Sequence, residues 1–319
     1  QPGGWLKQRR SQAQEAAQPG GWRKQVCWRS VGMFDFDDDA LDALGPVNPY
    51  EGKEPVFCCW YSGGFYHDDG SKLYNEFLKA AAIAGIGDTM VMGFPDHYGF
   101  CEEGYEHWPK YVDRLVYEID SIEEYKERPL ILMGHSRGAC PAMSLATKLG
   151  ERVLKVYIAS CGSFPPGEPT PWEHLSNNFK GSGDKGLLQW FSSLQPDNII
   201  LKRAGDLPES EIPAACAESK WLAKMLKLMQ MQYRDATFPD MKCEDPPIKV
   251  ISAPIMACVP KYDESSPLAA MEGFKTSTTG GCEIKVFKAD HMGILANKDF
   301  VDFTIKDILK FFPTTKEED

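Results

Sequence analysis

The strongest chemical signal in the sequence is a serine held between two glycines. Gly134-His135-Ser136-Arg137-Gly138 follows the apolar run Leu130–Met133, which reads as a strand, and precedes Ala139–Leu149, which reads as a helix. A G-x-S-x-G turn in strand–turn–helix context is so tight that only glycine fits at its flanks. It presents the serine hydroxyl at the sheet edge, with the next backbone N–H aimed at the reacting centre. Such a serine is a nucleophile for acyl transfer, and it needs a base that is itself oriented by an acid. Where this elbow occurs, the chain order is serine, carboxylate, histidine. Two of the six histidines follow Ser136. His174 lies in a stretch with no strand to fix it. His291 comes directly after the strand-like Glu283–Phe287 and is the expected base. His67, His97 and His107 precede the serine and fit the order poorly.

Asp263, on the loop after the strand-like Pro254–Val259, is the expected acid, and its neighbour Glu264 can substitute. Asp290 adjoins His291 in sequence, but adjacent side chains rarely turn to face each other, so it reads as a solvated loop residue. Asp235 and Asp240 read as surface or cap residues. The tetrahedral intermediate needs hydrogen-bond donors. The backbone N–H of Arg137 is one. The other is expected from Trp60-Tyr61-Ser62-Gly63-Gly64, whose paired glycines allow close backbone approach; a plain turn is the alternative reading of the glycines.

These residues require elements to hold them. Val56–Trp60, Thr89–Phe94, Pro129–Met133 and Val153–Ala159 read as strands, alternating with helix-like Lys72–Ala84, Tyr105–Lys126 and Ala139–Leu149. In the second helix Trp108, Tyr111, Val112, Leu115, Val116, Ile119 and Ile122 recur at helical spacing. The alternation predicts an α/β fold, a mostly parallel central sheet with helices on both faces. It is interrupted at about 164–245 by a Pro/Gly-bounded insertion with helix-like Ile212–Met231, expected to form a lid over the site. Strands resume at Pro254–Val259, and Lys298–Phe312 closes the pattern as an amphipathic helix.

The chain has 319 residues, 43% hydrophobic, enough for a core that needs no disulfide or metal staple. Its 46 acidic residues against 35 basic ones give a net charge of −11, which disfavours nucleic acid as a partner. No apolar run approaches the ~18 residues of a membrane span. The ten cysteines are scattered without C-x-x-C spacing, so buried, reduced thiols are expected, as in the cytoplasm or an organelle stroma. Residues 1–50 differ in composition. QPGGW occurs at Gln1–Trp5 and Gln18–Trp22, an acidic run follows at Asp35–Asp39, and no apolar h-region of a secretory signal is present. This segment reads as a flexible leader, with one catalytic domain over 51–319.

Four patches resemble the thioesterases of the α/β-hydrolase fold that serve polyketide, nonribosomal-peptide and fatty-acid synthases, especially the free-standing type II enzymes. The resemblance runs from about Val56 to Phe312. Phe57-Cys58-Cys59-Trp60-Tyr61-Ser62-Gly63-Gly64 looks like the family's apolar strand ending in Pro-Tyr-Ala-Gly-Gly, and Gly134–Ala139 like its Gly-His-Ser-Met-Gly-Ala. Leu207–Pro239 resembles its lid, and Asp263 and His291 fall where it keeps acid and base. The chain departs at Trp60 and Ser62, at Pro95-Asp96-His97, at Asp290-His291-Met292, and at Arg137, which puts a charge near the site entrance. The resemblance implies the Ser62 N–H as second oxyanion donor. It implies an acyl thioester substrate on the phosphopantetheine arm of an acyl carrier protein, or on coenzyme A, and no metal or organic cofactor.

A carrier protein is usually acidic, so docking to this chain needs local positive charge. Lys220, Lys224 and Lys227 share one helical stripe, opposite Leu222, Met225, Leu226 and Met229. That apolar stripe reads either as core or as a wall for an acyl chain. The same catalytic residues also suit a carboxylesterase or lipase, or an acyltransferase. A catalytically silent α/β-hydrolase acting as a binding module is the reading from another class.

Overall fold

Strands that are apolar at consecutive positions must be covered on both faces. The computed structural model describes residues 28–29, 50, 53–60, 71–93, 108–163, 179, 182–230 and 249–312. Its strands are Trp28–Arg29 (β1), Val56–Trp60 (β2), Asp88–Met92 (β3), Leu130–His135 (β4), Val153–Ala159 (β5), Ile255–Pro260 (β6) and Cys282–Phe287 (β7). They form one sheet in the order β1-β3-β2-β4-β5-β6-β7. β1 pairs antiparallel with β3, and the other neighbours are parallel. Both copies of QPGGW lie outside the described residues.

The described helices are Asn75–Ile83 (α1), Trp108–Asp120 (α2), Ala139–Leu149 (α3), Asp184–Leu194 (α4), Ile199–Asp206 (α5), Ile212–Glu218 (α6), Lys220–Met229 (α7), Leu268–Met271 (α8) and Lys298–Ile308 (α9). Successive strand residues point to opposite faces, which divides the core in two. Phe57, Cys59, Ile131 and Met133 pack with Phe77 of α1 and with Phe300, Ile305 and Ile308 of α9. Cys58, Trp60, Leu130 and Leu132 pack with Leu115 and Ile119 of α2 and Met143 of α3. The expected sheet with helices on both faces is thus found. β2, β4 and β6 are buried at every residue, which explains their unbroken apolar runs.

Four described helices, α4 to α7, lie between β5 and β6. Their apolar residues, including Leu187, Phe191, Leu201 and Ile212, join the same core as α2 and α3. Leu222, Met225, Leu226 and Met229 are buried among them, as a core stripe is. Lys220, Lys224 and Lys227 are exposed.

Ile212–Met231, expected as one helix, is two. Ser219 is extended (φ −122°, ψ 99°), and its Oγ accepts from the Leu222 N–H at 3.3 Å. Serine competes for backbone donors in this way at an N-cap, ending one helix and starting the next. Ser219→Ala is expected to cost about 1 kcal/mol, read as a lower denaturant midpoint at unchanged slope.

Cys58, Cys59, Cys140, Cys161 and Cys258 are buried and form no disulfide among the described residues. Burial pushes the Cys59 and Cys161 thiols well above their ordinary range, which keeps them unreactive. No described helix is long and apolar enough to cross a membrane.

Candidate active site

Parallel strands place all their carboxyl ends along one edge, and an open α/β sheet binds its ligands there. The loops after β4, β6 and β7 share that edge, and they carry Ser136, Asp263 and His291. Ser136 follows β4 with φ 52°, a left-handed conformation that a non-glycine residue holds only under constraint. The constraint is packing. A Cβ on Gly134 would stand 2.4 Å from both the Ala139 Cα and the Gly138 oxygen, and one on Gly138 would stand 2.4 Å from the Trp60 oxygen. The elbow is therefore pressed between α3 and the end of β2.

The Trp60 carbonyl that backs the elbow accepts from the buried Tyr74 hydroxyl at 2.8 Å. This fixes the carboxyl end of β2. Ser62 itself lies outside the described residues. The side chain of Arg137 is 1% exposed, so its charge is buried and not at a site entrance as the sequence suggested.

Ser136 Oγ lies 2.9 Å from His291 Nε2, and His291 Nδ1 lies 2.7 Å from Asp263 Oδ2. Acceptor-only carboxylate oxygens require Nδ1 to carry the proton, which leaves Nε2 free to accept from the serine hydroxyl. Asp263 is tied down further. Its Oδ1 accepts from the Ser265 N–H at 3.0 Å and the Ser265 hydroxyl at 2.5 Å, and its Oδ2 from the Ser266 hydroxyl. Burial alone would raise this carboxyl. The bonds from His291, Ser265 and Ser266 and the His291 charge outweigh it and hold the carboxyl at about 2, so it stays ionised.

Glu264 is exposed, whereas Asp263 is buried and bonded to the imidazole. Asp290 Oδ1 accepts from the Gly293 N–H at 2.6 Å and shapes the loop without meeting the His291 ring. His67, His97, His107, His174, Asp235 and Asp240 lie outside the described residues. A cleft of about 460 Å³ opens beside Asp263 and His291, between Trp190 and Leu194 of α4 and the loop residues Tyr262 and Glu264. The arrangement can activate a serine hydroxyl for attack on a carbonyl beside a water-accessible cleft.

No protein-family model and no curated protein matches the chain. Solved structures do match its fold. The thioesterase RedJ from the prodiginine biosynthetic pathway of Streptomyces coelicolor is 16% identical with a TM-score of 0.51, covering 86% of this chain and 97% of its own. MenH from S. aureus is 15% identical at TM-score 0.52, covering 81% and 94%. YbtT, a type II thioesterase from the yersiniabactin pathway, is 14% identical at TM-score 0.51, covering 82% and 94%. The chain has the α/β-hydrolase fold. Sequence reasoning missed four residues around the site. Ser265 and Ser266 follow Asp263 at the spacing by which serine hydroxyls bond a nearby aspartate, a signal legible in Asp-Glu-Ser-Ser. His135 and Ser160 both donate to the His291 backbone carbonyl, and no local pattern marks them.

Proposed function

We infer that the protein is a serine thioesterase. It hydrolyses an acyl thioester on the phosphopantetheine arm of an acyl carrier protein, or on coenzyme A, in polyketide or fatty-acid biosynthesis. The reading rests on the hydrogen-bonded chain Ser136–His291–Asp263 at 2.9 and 2.7 Å. Ser136 Oγ attacks the thioester carbonyl while its proton passes to His291 Nε2, and ionised Asp263 stabilises the imidazolium that forms. The oxyanion sits against the N–H of Arg137, and the resemblance to type II thioesterases implies Ser62, which lies outside the described residues, as the second donor. Collapse breaks the C–S bond, and His291 protonates the departing thiol. Water, deprotonated by His291, then attacks the acyl-serine, releasing the free acid and restoring Ser136. These steps call for no metal or organic cofactor.

The thioester preference is supported by the patches shared with type II thioesterases and by the likeness to RedJ and YbtT, both thioesterases. The exposed Lys220, Lys224 and Lys227 offer an acidic carrier a positive face on a chain of net charge −11. The same chemistry cleaves oxygen esters, so the deciding experiment compares kcat/KM for acyl-pantetheine thioesters and matched oxygen esters across chain lengths. Faster thioester turnover, lost in Ser136→Ala, is the expected result. Faster oxygen-ester turnover moves the assignment to a carboxylesterase. Failure of Ser136 to react with a fluorophosphonate identifies a silent binding module.

A further inference from the structure

The loop that carries His291 has far to reach. β7 and β4 stand three strand spacings apart, about 14 Å at the ~4.8 Å spacing of neighbouring strands. Four steps of extended chain, from Phe287 to His291, span at most ~14 Å. The loop must therefore run across the strand ends towards β4, where its backbone has no ladder to join.

It is held rung by rung instead. On the β6 side, the Lys261 N–H donates to the Phe287 carbonyl at 2.7 Å and the Tyr262 N–H to the Ala289 carbonyl at 3.0 Å. At the end of β5, the Ser160 hydroxyl donates to the His291 carbonyl at 3.0 Å. At the end of β4, His135 Nε2 meets the same carbonyl at 2.7 Å.

We propose that His135 and Ser160 form a two-donor clamp on the His291 carbonyl and act as positioning residues that set the reach of the base to Ser136. The inference rests on Ser136 and His291 being nucleophile and base.

Three observations support it. First, Ser160 is a non-glycine residue at φ 55°, one of two strained serines at adjacent strand ends, the other being Ser136. Such strain persists where the surroundings over-determine it and clusters at functional sites. Second, a carbonyl only accepts, so His135 must donate from Nε2–H. Its Nδ1 is then buried with no hydrogen-bond partner among the described residues. An orphaned polar atom is a cost that an apolar residue filling the same space would avoid. Third, the His135 and His291 ring centroids lie 5.3 Å apart. Burial and then the neighbouring His291 hold the His135 imidazole down at about 3, against the opposing pull of its carbonyl bond and of Asp263. His135 is therefore a neutral donor across the working pH range, and the clamp does not titrate.

Loss of the clamp should lengthen the Ser136–His291 contact and slow acylation while leaving substrate binding intact. A displacement of about 1 Å at a catalytic group costs on the order of 10² in rate. The test uses the full chain and reads kcat and KM on its best ester, together with the rate of Ser136 labelling by a fluorophosphonate. His135→Phe keeps a ring and removes the donor. It should lower kcat and labelling by roughly 10–100-fold with KM little changed. Ser160→Ala should lower both by up to roughly tenfold, and His135→Gln, which restores an N–H near the Nε2 position, should recover part of the loss. If His135→Phe fails to fold, Ser160→Ala carries the test, since it removes a single hydroxyl. Unchanged kcat and labelling in Ser160→Ala and in the folded His135 variants overturns the clamp and leaves the triad standing. A loss in His135→Phe that Gln does not relieve at all assigns His135 to packing and also overturns it. A wild-type chain that does not label overturns the nucleophile reading, and the clamp with it.

Discussion

Ser136→Ala is expected to lower kcat by about 10⁶ and Asp263→Asn by about 10⁴, and the double variant to be no worse than Ser136→Ala alone. The serine variant removes the oxygen that meets His291 Nε2, the Ser136 Oγ at 2.9 Å. The asparagine variant leaves that oxygen and the shape of the site in place. Its damage is electronic. Asp263 Oδ2 now accepts from His291 Nδ1 at 2.7 Å and fixes the tautomer. An amide at that position can present N–H instead, which favours the tautomer whose Nε2 carries the proton and cannot take one from Ser136. Non-additivity follows because the acid acts only through the base, and the base only through the serine. The measurement is kcat on the best ester of the wild-type chain, with fluorophosphonate labelling as an independent readout. Asp263→Asn within tenfold of wild type would remove Asp263 from the mechanism. A larger loss in Glu264→Gln would pass the role to its neighbour.

What could be read from the sequence, and what could not, divides along a physical line. Steric demands leave local signatures. The glycines flanking Ser136 are required because a Cβ at either would come within 2.4 Å of backbone atoms. The chain order Ser136, Asp263, His291 carries information because a parallel sheet brings the carboxyl ends of β4, β6 and β7 to one edge, whatever intervenes in sequence. Side-chain direction at a strand end leaves no such trace. His135 sits inside the motif that singled out Ser136, yet only the path of a loop 156 residues away shows what its ring touches. Ser160 lies in no motif, because its role arises from strand order. Arg137, set against the methionine of the family it resembles, reads as a charge near the site entrance, and packing buries it. Helix continuity through Ser219 failed for a smaller reason: the apolar period crosses the break unchanged, so periodicity cannot register the cap that interrupts it.

The second large effect concerns stability, and it lies on the face of the sheet covered by α9. Asp307→Asn is expected to destabilise the fold by about 3–5 kcal/mol, lowering Tm by roughly 6–20 °C. Lys155 on β5 is buried, and its Nζ lies 2.7 Å from Asp307 Oδ2. The Tyr157 hydroxyl, two residues along the same strand and on the same face, donates to that oxygen at 2.8 Å. Lys310 also reaches Asp307, at 2.8 Å, but its side chain is 69% exposed, so that pair adds little. The asparagine keeps the shape and leaves the Lys155 ammonium buried without a counter-charge, which is where the cost arises. Replacing both partners by apolar residues, as in Lys155→Met with Asp307→Leu, should recover most of the loss, because no desolvated charge then remains. The pH dependence has the sign of any group whose folded pKa is lowered: stability falls as pH falls. Burial raises the Asp307 carboxyl, but the bonds from Lys155, Lys310 and Tyr157 and the Lys155 charge outweigh it and bring it from 3.8 down to about 2. The unfolded chain then binds the proton more readily, so this contribution is complete above pH about 4 and is lost as pH falls towards about 2. Thermal unfolding of wild type and Asp307→Asn across pH 2–7 should show the two curves converging at the acid end. Parallel curves over that range would mean that the Lys155–Asp307 pair does not hold α9 to the sheet.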